Sequence, residues 1–404
     1  MMNLLFLTEY DISPMQGGTE HITLALAEGL GQKGCNCYLA YGIDSKLVPS
    51  DSFAEKLKYE KETAAESLAA FIHTKNIQAV ICNLVNIHYK RWLMPLMYSL
   101  CQEAGIHMYA CYHAMPGEEL RGNTFSFSLY KLFHGAKPVP VCKDMILGVL
   151  PERITRLLFK SYIQKRYRLM YDNCDRLVLL SSRFFEEFAE LGGLRVDEKF
   201  VGMPNALTFD SFLSKQEIAF KKHDVMMLCR MDEKAKKISR ALKIWKQIEE
   251  RDSHADWTLT IVGGGPDLQY YKELASKLHL CRVSFEGRQE DALSYYKRAS
   301  IFMMTSAYEG WGLTLTESQQ MGVVPMAFAS YSSLPDIITD GVNGFIIPDG
   351  RLDIYVSKLS YLMDHEKERQ AIAEVAIDSC HRYELDKVCD MWLQLFAKDT
   401  SLVN

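Results

Sequence analysis

Thr305-Ser-Ala-Tyr-Glu-Gly-Trp-Gly-Leu-Thr-Leu-Thr-Glu-Ser-Gln-Gln-Met-Gly322 is the most informative segment of this sequence. It follows the apolar run 299–304, which predicts a buried strand. Two glycines, Gly310 and Gly312, come next, and a helix is predicted from near Thr314 to Gly322. A strand, a glycine turn and a helix in this order are typical of an α/β domain.

The same segment contains residue types that suit a phosphorylated sugar. Glycine lets the backbone approach a ligand closely, and the start of a helix attracts an anion such as phosphate. Glu309 and Glu317 flank this turn, eight positions apart. Because a carboxylate repels phosphate, we expect each glutamate to face neutral groups such as sugar hydroxyls. Taken alone, the segment also fits an ordinary strand–turn–helix unit with two surface glutamates.

Composition narrows the class of protein. The length of 404 residues predicts two or three domains, and the net charge of −5 argues against nucleic acid as a partner. The 11 cysteines lie mostly in apolar segments, which predicts reduced thiols in a cytoplasmic protein. We expect neither a signal peptide nor a membrane-spanning segment, because the apolar runs are too short.

The first half of the chain opens as strand, glycine-rich loop, helix and strand. Gly17 and Gly18 lie in this loop, which lacks the GxGxxG pattern of dinucleotide-binding proteins. A tight turn at the helix start explains the two glycines equally well. His113 follows the predicted strand 107–112, at the strand end where ligands of open α/β sheets bind. A packed or solvent-facing histidine is the alternative.

The segment Arg153–Tyr171 has a different character. It mixes aromatic and aliphatic residues with basic ones and contains no acidic residue. This pattern predicts peripheral contact with an anionic membrane surface, or with a lipid-phosphate acceptor. A long helix packed on the sheet, with its basic side in solvent, would give the same pattern.

The second half repeats the alternation of strands and helices from Asp224 onward. Arg230 follows the first of these strands, Gly263 the second and Arg288 the third. Residues 208–223 are polar and predict a linker. The repeated units therefore predict a second parallel sheet of about the same size as the first.

These residues together resemble the E-x7-E signature of the family 4 retaining glycosyltransferases. The resemblance rests on Ser306–Glu317, followed by Gly322-Val-Val-Pro325 and Asp340–Gly344. It extends over nearly the whole chain, through the Gly17-Gly18 loop, His113, Arg230 and Lys236, and the glycine turn 262–266. One departure is Lys237, which stands where the family has glycine, so that Lys236 and Lys237 could exchange roles.

The resemblance implies the α/β GT-B fold, with two doubly wound Rossmann-like domains that face each other across a cleft. It predicts an acceptor-side domain at 1–205 and a nucleotide-sugar-binding domain at 206–380. The segment 381–404 is expected to form a helix that packs back on the first domain.

The resemblance also implies roles for individual residues. Arg230 and Lys236 would bind the diphosphate, Glu317 the ribose hydroxyls and Glu309 the donor sugar. His113 would lie near the sugar and the acceptor, and Arg288 is a candidate contact for the nucleobase. The predicted catalytic residues are thus Glu309, His113, Arg230 and Lys236. The predicted donor-binding residues are Gly17, Gly18, Arg230, Lys236, Gly263, Arg288, Glu309, Gly312, Leu313, Thr314 and Glu317.

The implied function is transfer of a sugar, with retention of configuration, from a nucleotide sugar to a saccharide or lipid-linked acceptor. A UDP-sugar is the expected donor, and cell-surface polysaccharide or lipopolysaccharide synthesis is the expected setting. No Asp-x-Asp motif occurs, so we expect neither a metal nor another cofactor. The expected location is the cytoplasm, with peripheral contact at the inner face of the plasma membrane. A sugar-nucleotide epimerase or phosphorylase on the same fold, and a binding protein with an inactive site, are the competing hypotheses.

Overall fold

The computed structural model describes residues 2–13, 17–85, 87–135 and 137–401; within these ranges the side chains of Ile87, His88, Glu152 and Ser401 are not described. The chain alternates strands and helices along its length. The strands are β1 (Asn3–Leu7), β2 (Asn36–Tyr41), β3 (Glu55–Lys58), β4 (Ala79–Cys82), β5 (His107–Tyr112), β6 (Arg176–Leu179), β7 (Phe200–Gly202), β8 (Asp224–Leu228), β9 (Thr258–Val262), β10 (Val283–Gly287), β11 (Ile301–Met304), β12 (Val324–Phe328) and β13 (Phe345–Ile347).

Helices connect these strands and cover their faces. They are α1 (Gly18–Gln32), α2 (Ala64–Thr74), α3 (Ile87–Ala104), α4 (Phe125–Phe133), α5 (Pro138–Val149), α6 (Glu152–Leu158), α7 (Lys160–Asp172), α8 (Phe185–Gly192), α9 (Glu233–Lys236), α10 (Ile238–Glu249), α11 (Leu268–Lys277), α12 (Ala292–Arg298), α13 (Leu313–Gln320), α14 (Leu334–Ile337), α15 (Leu352–Asp364), α16 (Glu366–Cys380) and α17 (Leu385–Ser401).

The first compact unit comprises Met1–Pro116, Phe159–Thr208 and Tyr383–Asn404. Its seven parallel strands lie in the order β3-β2-β1-β4-β5-β6-β7, so the direction of winding reverses between β1 and β4. Buried apolar side chains dominate the central strands β1, β4, β5 and β6, as expected where helices cover both faces of a parallel sheet. The sequence thus forms one doubly wound α/β unit here.

Helix α17, near the end of the chain, belongs to this first unit. Its residues Cys389, Trp392 and Phe396 join the apolar core beneath β1, β2 and β5. Buried Asp399 accepts a hydrogen bond from the Tyr109 hydroxyl at 2.9 Å and forms an ion pair with the Arg176 guanidinium. Apolar contacts and buried charge therefore both hold this terminal helix on the first sheet.

The second unit comprises Gly117–Leu158 and Phe209–Arg382. Its six parallel strands lie in the order β10-β9-β8-β11-β12-β13, with the reversal between β8 and β11. The strands β11 and β12 are buried at every residue. The second unit repeats the doubly wound architecture of the first.

The segment Gly117–Leu158 packs with the second unit, whereas the predicted boundary assigned all of 1–205 to the first domain. Its helices make polar and aromatic contacts with that unit. Lys234 pairs with Asp144 at 2.9 Å, Arg121 donates to the Ala307 carbonyl at 2.8 Å, and other contacts are Phe127–Tyr270 and Lys131–Asp267. Sequence periodicity gives no information about which of two sheets a helical excursion contacts, so the difference has a simple cause.

Candidate active site

Four adjacent strands of the second unit present predicted site residues at their carboxyl ends. Arg230 lies just beyond β8, Gly263 follows β9, and Arg288 follows β10. Glu309 lies in the loop after β11. Because the strand order is β10-β9-β8-β11 and all pairs are parallel, these residues share one edge of the sheet. That edge is where ligands of doubly wound sheets bind, at the point of reversal.

A partly buried ion pair spans the reversal point between β8 and β11. The Lys236 Nζ lies 2.5 Å from Glu309 Oε1, and the same oxygen accepts a hydrogen bond from the Ser306 hydroxyl at 2.6 Å. The two charged side chains are only 21% and 13% exposed. Burial acts to lower the pKa of Lys236, but the Glu309 charge and hydrogen bond outweigh it and raise the pKa. The lysine therefore stays a cation despite its burial.

The structure places Lys236 and Lys237 in different surroundings. Lys237 adopts a left-handed conformation with φ of 48° where α9 ends and α10 begins, and it is 6% exposed. A left-handed residue favours glycine, which accounts for the family's glycine at this position. Burial lowers the pKa of Lys237, opposed by buried Glu233. Lys236 is therefore the lysine that contacts the Glu309 carboxylate.

Arg230 and Arg288 are both exposed at this edge. The Arg230 side chain is 68% exposed, and its Nη2 lies 2.7 Å from Asp232 Oδ2. Asp232 also accepts from the Lys234 N–H at 3.0 Å, which caps α9. The aspartate thus connects the exposed guanidinium to the short helix that holds Lys236, a link that the sequence interpretation did not include.

The glycine turns allow close backbone packing at this edge. Gly263 has φ of 129°, and a Cβ there would lie 2.0 Å from the Cys229 carbonyl oxygen. Gly312 has φ of 98° and precedes α13, which includes the predicted Leu313 and Thr314. A side chain at Gly263 would push β9 away from the loop that carries Arg230, so this glycine has a structural role.

Glu317 lies in α13 with a partner that the sequence did not indicate. One of its carboxylate oxygens accepts a hydrogen bond from the buried Tyr296 hydroxyl at 2.8 Å. Burial, then the Glu317 charge, raises the pKa of Tyr296. Tyr296 therefore remains a neutral donor that orients the glutamate.

The remaining predicted residues belong to the first unit. Gly17 and Gly18 are exposed at the start of α1. His113 follows β5, and its Nε2 lies 3.3 Å from Asn83 Oδ1, just beyond β4. Burial and the Lys90 ammonium lower the pKa of His113 to about 4. Asn83 is a polar residue directly after a strand at the reversal point. This position could have indicated Asn83 as a site residue, but the sequence interpretation did not include it.

The described parts of the chain contain no group of three or more His, Cys, Asp or Glu side chains that could hold a metal ion.

Comparison with known proteins supports the fold of the whole chain and a family resemblance of the second unit. Residues 210–378, most of the second unit, match the family described as glycosyl transferases group 1. The crystal structure of Anabaena Alr3699/HepE in complex with UDP is similar, with a TM-score of 0.72 and 14% identity, over 98% of this chain and all of that one. The chain therefore has the GT-B fold.

Sequence relatives cover a smaller part. An uncharacterized glycosyltransferase of Haemophilus influenzae is 26% identical over 37% of this chain and 42% of its own length. The amylovoran biosynthesis glycosyltransferase AmsD of Erwinia amylovora is 25% identical over 39% of this chain and 43% of its own length. The match thus spans less than half the length of these two relatives.

The lowered pKa of His113 predicts a pH dependence of stability. Since the unfolded imidazole takes up a proton near pH 6.5 and the folded one only near pH 4, stability should be lost as pH falls between these values. At pH 5 this residue is expected to lower the free energy of unfolding by about 2 kcal/mol.

Urea unfolding of the wild type and of His113→Gln at pH 7.5 and pH 5 measures this free energy, and the variant should lose less stability than the wild type. His73→Gln, at an exposed histidine, is the control. Equal pH dependence in wild type and His113→Gln would contradict this prediction.

Proposed function

We propose that this chain is a retaining glycosyltransferase of family 4. It transfers a sugar from a UDP-sugar to a saccharide or lipid-linked acceptor in the synthesis of a cell-surface polysaccharide or lipopolysaccharide. The observation that carries the proposal is the Lys236–Glu309 pair at the reversal point of the second sheet. A cation and a carboxylate side by side suit a ligand that combines a diphosphate with sugar hydroxyls.

The proposed roles follow from the charge changes of the reaction. Transfer breaks the bond between the sugar C1 and the β-phosphate oxygen, so negative charge grows on the departing diphosphate. Lys236 and the exposed Arg230 would bind and stabilise that diphosphate, together with backbone N–H groups of Leu313 and Thr314 at the start of α13. No metal is needed for this step, because two cationic side chains supply the positive charge.

The two glutamates would bind hydroxyl groups. Glu309 has one oxygen bound by Lys236 and Ser306, and we assign its carboxylate to the hydroxyls of the donor sugar. Glu317, oriented by Tyr296, would accept hydrogen bonds from the ribose. His113 would contact the sugar and the acceptor, and Arg288 would contact the base. Gly17 and Gly18 would leave space for the donor phosphates.

Two similarities support the choice of donor and setting. Anabaena Alr3699/HepE was crystallised with UDP and with UDP-glucose. The relatives include AmsD, described as acting in amylovoran biosynthesis, and the LpsE protein of Rhizobium meliloti, described as acting in lipopolysaccharide core biosynthesis. A UDP-sugar and a polysaccharide or lipopolysaccharide product therefore remain the preferred substrate classes.

A thermal-shift panel with UDP, GDP, ADP and their glucose or mannose conjugates tests the donor. Because a ligand that binds only the folded state raises the melting temperature, UDP and UDP-sugars should do so selectively. The same shift should appear with excess EDTA, since no metal is required. A rise only with GDP compounds would refute the UDP assignment, and loss of the shift with EDTA would refute metal independence.

Substitutions of Glu309 and Arg230 test the proposed catalytic roles. With the donor selected by the panel, Glu309→Gln should lower kcat roughly 100-fold or more, because it removes the charge and keeps the shape. Arg230→Lys should lower kcat/KM about tenfold, since lysine lacks the planar fork that binds two phosphate oxygens. Glu374→Gln, at an exposed glutamate of α16, is the control and should behave as wild type. Full activity of Glu309→Gln would exclude the assigned role of Glu309.

Peripheral contact with an anionic membrane is part of the proposal. None of the helices that the structure describes is long and apolar enough to cross a bilayer. The predicted segment Arg153–Tyr171 is divided between α6 of the second unit and α7 of the first. Exposed large apolar side chains recur along α4, α5 and α6, at Phe125, Phe133, Val139, Ile146, Val149, Ile154, Leu157 and Leu158.

This cluster, together with exposed Lys137, Lys143 and Arg153, fits a surface that lies on anionic lipid. Sedimentation with phosphatidylglycerol vesicles at low salt should recover the wild type. The double variant Leu157→Ser, Leu158→Ser should bind about tenfold more weakly, because two exposed leucines no longer enter the lipid. Val375→Ser, at an exposed valine of α16, is the control. If the double variant binds the vesicles as strongly as Val375→Ser does, this surface is excluded as the membrane contact.

A further inference from the structure

A chain of buried hydrogen bonds runs from helix α1 to His113 in the first unit. The Thr23 hydroxyl lies 2.7 Å from the Thr19 carbonyl oxygen, one turn earlier in α1. The Asn83 amide nitrogen lies 2.7 Å from the Thr23 hydroxyl oxygen, and Asn83 Oδ1 lies 3.3 Å from His113 Nε2. Thr23 is 1% exposed and Asn83 is 5% exposed, so solvent does not compete for these groups.

The direction of each hydrogen bond follows from the first. A hydroxyl has one proton, and Thr23 donates it to the Thr19 carbonyl, which can only accept. Thr23 must then accept from its next neighbour, so the Asn83 NH₂ group is the donor. The Asn83 carbonyl oxygen consequently faces His113, and it too can only accept. The proton of the neutral imidazole is therefore placed on Nε2.

This assignment leaves His113 Nδ1 as a hydrogen-bond acceptor. Nδ1 is buried and has no partner among the described residues. His113 also lines a small pocket in the first unit, together with Thr23, Asn83 and Asn205. A buried acceptor with no protein donor, on a residue that lines a pocket, suits a ligand that supplies a hydroxyl proton.

We propose that Asn83 and Thr23 are positioning residues that hold His113 in the Nε2–H tautomer, so that Nδ1 accepts a hydrogen bond from a carbohydrate hydroxyl. The identity of this ligand rests on the proposed glycosyltransferase function, whereas the tautomer does not. Neither Asn83 nor Thr23 needs to contact the substrate. They act through the imidazole, as the partner of one ring nitrogen determines the state of the other.

The tautomer can be measured without any substrate. In the full chain labelled with ¹⁵N-histidine, imidazole nitrogen shifts distinguish Nε2–H from Nδ1–H, and the signal lost in His113→Gln is that of His113. We expect the Nε2–H pattern in the wild type at pH 7.5. Thr23→Val removes the acceptor of the Asn83 amide, so the amide can turn over and the Nδ1–H form should become populated. Thr23→Ser keeps the hydroxyl and should retain the wild-type pattern. An Nδ1–H wild type, or an unchanged tautomer in Thr23→Val, would overturn the positioning role.

The ligand is tested with UDP-glucose, UDP and a transfer assay. If the hydroxyl belongs to the donor sugar, Thr23→Val should weaken the binding of UDP-glucose about tenfold and leave the binding of UDP unchanged. If it belongs to the acceptor, the donor affinities should stay the same while the KM of the acceptor rises about tenfold. If Thr23→Val alters the tautomer but changes neither the affinity for UDP-glucose nor the KM of the acceptor, the hydroxyl contact is excluded. If the wild type binds no nucleotide sugar, the proposed function has failed, and the ¹⁵N result still decides the role of Thr23 and Asn83.

Discussion

The site of the second unit depends on the contact between the Lys236 ammonium and the Glu309 carboxylate. Lys236 ends helix α9, which follows β8, and Glu309 lies in the loop after β11; these two strands are neighbours in the sheet but lie far apart in sequence. Either charge alone at this depth would be costly, because burial disfavours an unpaired ion. Ser306 adds a hydrogen bond to the same carboxylate oxygen. The pair therefore fixes the relative position of two loops while keeping both charges available for a polar ligand.

Backbone conformation explains why this arrangement can form. Lys236 is the last residue of a four-residue helix, and the left-handed Lys237 turns the chain directly into α10. The Thr305 hydroxyl, just after β11, lies within hydrogen-bonding distance of the carbonyl oxygens of both lysines, at 3.0 Å and 3.1 Å. These contacts connect the turn to the strand that precedes Glu309. A non-glycine residue in a strained conformation is retained here because the surrounding hydrogen bonds hold it there.

The sequence was sufficient for the two doubly wound sheets, because apolar strands followed by amphipathic helices determine that architecture locally. The positions of Arg230, His113 and Glu309 at strand ends could also be predicted, since each residue follows an apolar run. The contact partners that distant segments supply to these residues could not be predicted from the sequence. Tyr296 on Glu317, Asn83 on His113 and the packing of Gly117–Leu158 on the second unit are set by tertiary contact alone. The sequence also did not show which of the adjacent Lys236 and Lys237 contacts Glu309, because that depends on the backbone angle at Lys237.

The two units place polar groups at the same kind of position but with different electrostatics. In the second unit the reversal point contains a full ion pair, with arginines nearby, which suits a diphosphate. In the first unit the reversal point contains neutral groups, Thr23, Asn83 and a histidine whose pKa is lowered to about 4 by burial and by Lys90. A neutral imidazole with one fixed proton can accept from a hydroxyl but offers no charge to a phosphate. One fold repeated twice thus presents an ion pair at one reversal point and neutral polar side chains at the other.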